Sequence, residues 1–538
     1  MTSVKEYPVR FTPKGLCDAS DSSGSFNGAC TSLSNLIIDQ VNADSVVSRP
    51  GVGSPLLILP NLLSTGQIVV HSVVGTVIYG MVTSVNYIGR DEPFAFDTVT
   101  NTLCFILGLT PTSLPMSQPI SGPWTPPTLA VIGVKLILTH PGFTSSRPLG
   151  VLDITAPLAP VWSSTNTSTN TLPSVPNFVS NFNNRAYYAC GNQLYFSDVL
   201  LPLSMTNAGQ SLTVGDTTPI TALSGLPIQT TSGGVVAALI VFKGSQVWQV
   251  TGDEAVAGSL SMNFISLTIG CVSPRTVVQS LMGTLFIGTN GAYLITASGQ
   301  LLPLSYNVSQ LQQDVQLPFL NVVTPSRMCA GFAGNIYRVC LDTYVGGVFT
   351  TNDYWFDINM RRWSGPHTFP YTCVSTFNNS FILSNSTRLF VSGITFLNGS
   401  PHDDDGDAIV VNLTTSRLPQ TQNPNVKDAG ETTIEVGSTT NTTCSISIYD
   451  ESGVKLSEVT GNLGGLGSVW GGGSVWGGGA RWSSVIPLYV TLSVNWGNPV
   501  IFKKANLSLT ATAISQIRIG SFMLMYKDCG YTNLLTFS

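Results

Sequence analysis

What this sequence has least of is charge. Only 9% of its 538 residues are Asp, Glu, Lys or Arg, against about 25% in ordinary soluble proteins. Ser, Thr, Asn and Gly take their place, so the surface is polar but poorly charged. Such a surface suits a subunit whose faces are covered by neighbours, because a free monomer relies on charge for solubility. Helical periodicity is also nearly absent; the best candidate is a short helix over residues 308–315. No run of about 20 residues is uninterruptedly apolar, and the nearest, Leu56–Val82, is broken by Pro60, Gln67 and His71. It reads as successive strands. The opening residues, Met1 to Pro8, have no apolar stretch and predict no secretory leader.

Catalytic signatures are missing as well. The four histidines, His71, His140, His367 and His402, form no HExxH or other ligand pair. No GxSxG elbow, no GxxxxGK[ST] loop and no GxGxxG between a strand and a helix is present. The reading is therefore of a protein that is not an enzyme, with no catalytic residue and no cofactor. A net charge of −5 argues against a nucleic-acid coat, which would carry a basic face. DNA that merely slides past is compatible with it. The ten cysteines are scattered without a CxxC pair and read as buried thiols kept in a reducing cytoplasm.

What is present is strand. Short runs rich in Val, Ile, Thr, Phe and Tyr alternate with Gly, Asn, Asp and Pro. Many pairs read as hairpins, such as Arg185–Cys190 turning at Gly191-Asn192 into Gln193–Ser197, or Thr284–Gly288 turning at Asn290-Gly291 into Ala292–Ile295. Marking the Gly or Asn beside each displayed strand gives Gly191, Gly244, Gly283, Gly334 and Asn379, with gaps of 53, 39, 51 and 45 residues. Four-stranded propeller blades recur at about 40–50 residues. The expected fold is all-β: a β-propeller of five to seven blades with flanking β-sandwich or barrel-like domains.

Three segments follow. Residues 1–53 form an N-terminal β-rich platform. Residues 54–397 form the propeller, interrupted by a Pro-, Ser- and Thr-rich insert at 155–176. Residues 398–538 form a C-terminal sandwich-like domain carrying a Gly/Trp-rich arm at 464–484. At the second boundary, Asp403, Asp405 and Asp407 alternate around Gly406 and make a weak calcium candidate. No glutamate closes a twelve-residue loop, so a solvated acidic hinge is the plainer reading. In the arm, Trp470, Trp476 and Trp482 recur every six residues amid glycine. They are candidate interaction residues, since isolated indoles in glycine need a surface to dock on.

Three blocks of residues carry a resemblance. The first is Leu36-Ile37-Ile38-Asp39-Gln40 with Val47-Ser48-Arg49-Pro50-Gly51-Val52. The second runs from Asn184-Arg185-Ala186-Tyr187 and Tyr195-Phe196-Ser197-Asp198 through Val247-Trp248-Gln249-Val250-Thr251-Gly252-Asp253 to Ile269–Val277 and Asn290-Gly291-Ala292-Tyr293. The third is Pro499–Lys503 with Ile519-Gly520-Ser521-Phe522. In this order they resemble the nozzle, or tail hub (DNA-stabilisation), proteins of short-tailed bacteriophages. The resemblance implies a homo-hexameric ring in the virion tail, assembled in the bacterial host cytoplasm. It implies tail adaptor and portal-side proteins above, tail fibres beside it, and duplex DNA passing without sequence-specific binding. The runner-up is a receptor-binding tail fibre or spike.

The arm supplies the first prediction. Replacing Trp470, Trp476 and Trp482 together by Ala leaves the propeller's melting transition nearly unchanged and reduces assembled particles. Unfolding of the isolated subunit by the triple variant would assign the arm to its own core instead.

Overall fold

The computed structural model describes residues 6–530 except 18–27, 56, 59–65, 75–76, 87–94, 97–101, 108–109, 116–127, 154, 157–160, 164–171, 208, 230–234, 253–259, 308–311, 314, 316, 346, 378, 386–387, 395–399, 420–424, 439–441, 464–489, 497–498 and 514. Of the strands between 57 and 115 only the backbone is described.

The chain is a β-propeller joined to a β-sandwich. Five antiparallel sheets stand alone as four-stranded blades. Four of them follow in order at 128–162, 178–213, 220–266 and 278–303. The fifth combines Cys373–Phe377, Ser380–Asn385 and Arg388–Ser392 with Leu57–Ile58, so the start of the propeller supplies the outer strand of its last blade. Two more sheets fill the remaining sectors: one at 66–115, and one built from Cys329–Ala333, Ile336–Val345, Val348–Asp357 and Arg362–His367. The first strands of successive sheets lie side by side in chain order, and that of the last returns to Gly66–Val74. The circle therefore closes with seven sectors.

Period-two alternation explains the packing. In Arg185–Cys190, Ala186, Tyr188 and Cys190 meet Ile132, Ile137 and Val151 of the preceding blade. Tyr187 and Ala189, on the opposite face, meet Leu239, Val241 and Val250 of the following one. The next blade repeats the device: Ala238, Ile240 and Phe242 turn the other way, onto Phe286, Tyr293 and Ile295. These second strands are thus apolar on both faces, and each fully buried large side chain contributes about 1.5–3 kcal/mol.

Some expectations are corrected here. No helix spans 308–315, because Gln312–Gln313 pairs as strand with Tyr306–Asn307; the one α-helical turn among the described residues is Leu317–Leu320. The stretch 155–176 is not wholly an insert, because Val161–Trp162 is the outer strand of a blade. The N-terminal residues form no platform of their own. Ala29–Ser34 joins the sandwich sheet of Asp407–Thr415, Ala505–Ala513, Thr442–Asp450 and Lys455–Leu463. Glu6–Phe11, Leu36–Ile38 and Val46–Ser48 join the other sheet, built on Val426–Ser438 and Ile517–Gly530. Leu33, Leu413, Leu509, Ile446, Ile434 and Phe522 share one buried cluster between the two sheets. The sandwich is also continuous with the propeller, since Leu33 pairs with Gly365 of the sixth sheet.

The chain crosses between the two bodies at residues 49–53 and returns at 401–405. Gly51 donates to the Pro401 carbonyl at 2.9 Å, Gly53 to that of Asp403 at 2.9 Å, and Asp405 to that of Gly53 at 3.1 Å. A side chain on Gly51 would collide with the Asp403 backbone. Beside this ladder Arg49, 1% exposed, donates Nε to Asn35 Oδ1 at 2.9 Å and Nη1 to Asp404 Oδ1 at 3.0 Å. Its Nη2 donates to Asp404 Oδ2.

Removing one partner of such a buried pair costs about 3–5 kcal/mol, because the other charge is left uncompensated. Asp404→Ala is expected to lower the unfolding free energy by that margin, read as a lower midpoint in urea denaturation. The double variant Arg49→Met/Asp404→Leu is expected to recover most of the loss. Equal costs for the single and double variants would show that the pair contributes nothing specific.

Candidate functional site: the turns on one face of the propeller

The turn between the first and second strand of each sheet lies on one face of the propeller. The second strands begin at Val77, Lys135, Arg185, Val235, Gly283, Ile336 and Ser380, a more even spacing than the sequence markers, which mixed two kinds of turn. Several of these turns display aliphatic side chains to solvent. Leu281 is 97% exposed with Met282 exposed next to it on the same turn, and Val134 stands out on the turn of another blade. Leu200 bonds through its amide to the Asn184 carbonyl at 2.7 Å and packs near Gly133 of the neighbouring turn. This holds Val199, Leu200 and Leu201, all exposed, on the same rim. Asn183, Asn184 and Asn379 supply the positive φ that these tight turns require.

Toward the axis, the seven first strands contain no Asp, Glu, Lys or Arg. Their polar side chains reach sideways to the preceding sheet. Asn181 Nδ2 donates to the Val131 carbonyl at 2.7 Å, and Thr376 Oγ1 to that of Phe332 at 2.7 Å. Gln279 donates to the Gly225 carbonyl. Each bond satisfies a backbone oxygen that faces a neighbouring sheet.

Several of the charges lie inside the fold. Arg338 is completely buried, with Nε on Asp353 Oδ2 at 2.6 Å and Nη1 on Ser392 Oγ at 2.8 Å. Lys243 is equally buried. Its ammonium donates to the carbonyls of Val214 and Asp216 at 2.7 and 2.6 Å and to Asp216 Oδ1 at 2.7 Å. The Lys243 hydrogen bond, aided by Thr218, pulls the Asp216 carboxyl down to about 2. Arg518 meets Asp39 at 2.8 Å within the sandwich.

The acidic stretch proves to be a hairpin. Asp403-Asp404 pairs with Asp407-Ala408, and the turn residues Asp405 and Gly406 have φ of 59° and 91°. Asp403 accepts from the Gly406 amide at 2.8 Å, and Asp405 pairs with Arg388. Asp404, between the alternating candidates, is the one the fold uses most. Trp470, Trp476 and Trp482 lie outside the described residues.

One open cleft of about 450 Å³ lies on the sandwich, with Arg10, Lys14, Asn42, Asp44, Glu435 and Ser521 among its lining. Ser521 donates Oγ to Glu435 at 2.7 Å. That bond, with Arg10 nearby, holds the Glu435 carboxyl below the ordinary range, the reverse of a general acid. The hydrogen bond between Ser364 Oγ and His367 Nε2, 3.3 Å, is buried. Burial pushes the Cys271 thiol up to about 12 and Cys190 up to about 11. Cys329 goes the other way: burial raises it, but a hydrogen bond from Cys340 and the Arg275 charge outweigh that. At 2% exposure it meets no substrate. Among the described residues no cluster of three metal-ligating side chains occurs.

No family model and no curated protein matches the sequence. Among solved structures, a puromycin hydrolase S511A mutant in complex with PGG is 10% identical with a TM-score of 0.36, over 68% of this chain and 62% of its own. A Lactobacillus plantarum protein is 14% identical with a TM-score of 0.32, over 57% of this chain and 97% of its own. A Bacillus subtilis glycoside hydrolase family 43 arabinoxylan arabinofuranohydrolase in complex with cellotetraose is 9% identical with a TM-score of 0.30, over 87% and 98%. The match to the puromycin hydrolase thus spans less than two thirds of that chain. At these identities and scores the likenesses carry no argument about activity.

With Asp404 and Asp405 held by guanidinium groups, added calcium is expected to leave the thermal midpoint unchanged. A rise of several degrees at millimolar calcium would establish a site at the hairpin.

Proposed function

We propose that this chain is a non-enzymatic structural subunit of a short-tailed phage tail nozzle. In this reading six copies form a ring that closes the tail, retains packaged DNA and opens as a conduit for ejection. Adaptor and portal-side proteins hold the ring above, and fibres attach to its flank. The observation that carries the reading is the inversion of the usual surface rule. Arg49, Lys243, Arg338 and Arg518 sit in ion pairs inside the fold, while aliphatic side chains such as Leu281 and Leu200 stand on exposed turns. Exposed apolar side chains gathered on one face mark surfaces that partners cover, and a chain with only 23 Lys and Arg in 538 residues offers phosphate little to hold. The role needs no bond chemistry. It needs a rigid ring and a gate with two states a few kcal/mol apart.

The test is assembly. Negative-stain images of the protein joined to its tail adaptor are expected to show a six-fold ring. Leu281→Glu with Met282→Lys is expected to abolish the ring and leave the monomer's melting transition nearly unmoved, since both positions are exposed. A stable trimer bound to host glycan would overturn the nozzle in favour of a receptor-binding spike.

A further inference from the structure

The seam between propeller and sandwich contains a histidine that no role described so far uses. His367 ends the outer strand of the sixth sheet and is completely buried. Its ring stands edge-on to Trp355, 5.1 Å between centroids. Nε2 meets Ser364 Oγ at 3.3 Å, and Nδ1 is buried with no hydrogen-bond partner. The next residue ties the propeller to the neck: Thr368 donates its amide to Asn35 Oδ1 at 3.1 Å. Asn35 in turn donates to the Val410 carbonyl of the sandwich at 2.7 Å and accepts from Arg49 Nε at 2.9 Å.

The charged groups around His367 come from every element packed on it, and each is already committed. Asp353, directly across the ladder, accepts from Arg338 Nε, from Trp355 Nε1 at 2.7 Å and from the Tyr371 hydroxyl at 2.8 Å. Asp404 is held by Arg49. A proton added to His367 therefore finds two guanidinium groups nearby, no unspent carboxylate, and one ring nitrogen with nothing to donate to.

We propose that His367 is a proton-sensitive latch, neutral when the propeller–sandwich neck is closed and loosening that neck when it is protonated. Burial first, then Arg49 and Arg338, hold its pKa well below the ordinary histidine value, which agrees with this geometry. The sign follows from linkage. An opened neck solvates the imidazole and returns it to about 6.5, so the open state binds the extra proton. Closure is fully favourable above about 6.5 and weakens as pH falls below it, levelling off only beneath the closed-state value. Each pH unit between the two values favours opening by roughly tenfold. The latch is independent of the nozzle reading, since it concerns the seam within one chain.

The test uses the full chain. With only four histidines, ring-¹³C-labelled histidine gives four resolvable signals. The His367 signal is expected to stay neutral through pH 6.5 and to titrate only as the neck opens. Hydrogen exchange of 33–38 and 366–369, corrected for its intrinsic pH dependence, is expected to lose protection by tenfold or more between pH 7 and pH 5 while the third and fourth blades keep theirs. His367→Gln is expected to abolish most of that difference. Undiminished loss in the variant overturns the latch. If the variant fails to fold, the wild-type titration decides, and protonation near pH 6.5 with the seam still protected overturns it equally.

Discussion

The fold rests on two strands of chain passing each other at one point. The Arg49–Asp404 pair and the amide ladder beside it fix the outgoing and returning segments side by side. Everything on either side presupposes that juxtaposition. Leu57–Ile58 can complete the last blade only if the chain enters the propeller where it leaves. The first fifty residues can lie among the C-terminal strands only if they are held at the same neck. A buried ion pair adds little net stability over an apolar contact of equal volume, but it is sensitive to geometry, and its best-attested use is to select one register. Arg49 serves that purpose by bonding both Asn35 and Asp404, residues far apart in the chain.

The same economy runs through the molecule. A chain with few charges places several at junctions: Lys243 where one blade hands over to the next, Arg338 between the sixth and seventh sheets, Arg518 inside the sandwich. Each anchors backbone carbonyls or carboxylates where main-chain pairing is interrupted. The surface carries mostly hydroxyls, amides and aliphatic turns, with scattered charges such as Arg147, Arg361 and Lys455. Low charge is thus partly a property of the interior's demands and not only of what the exterior meets.

Much of the propeller was legible in the sequence because its signal is local. A buried second strand such as Arg185–Cys190 is apolar on both faces, and its turns need Gly or Asn whatever surrounds them. Pairings between distant segments were not legible. Nothing local in Glu6–Phe11 says that its partner lies at 522–527, and nothing in Asp403–Asp407 singles out Asp404 over the alternating residues that imitate a calcium loop. The phrase Arg49-Pro50-Gly51 stood out only as a likeness, yet its physical content is plain in the fold. Arginine is needed for a two-pronged bond and glycine for a backbone that another strand touches.

The closing of both bodies by their own first residues has a consequence for synthesis. Glu6–Phe11 has no neighbour on one side until residues 522–527 leave the ribosome. At about 5–20 residues per second that is a wait of roughly half a minute to two minutes. Leu57–Ile58 likewise waits for Arg388–Ser392, made more than 300 residues later, before it can join the last blade. Neither body can mature as a growing chain does when domains fold in turn from the N-terminus. The newborn protein carries open strand edges for most of translation, and it is in that interval that it is most exposed to mispairing with its siblings on the same message.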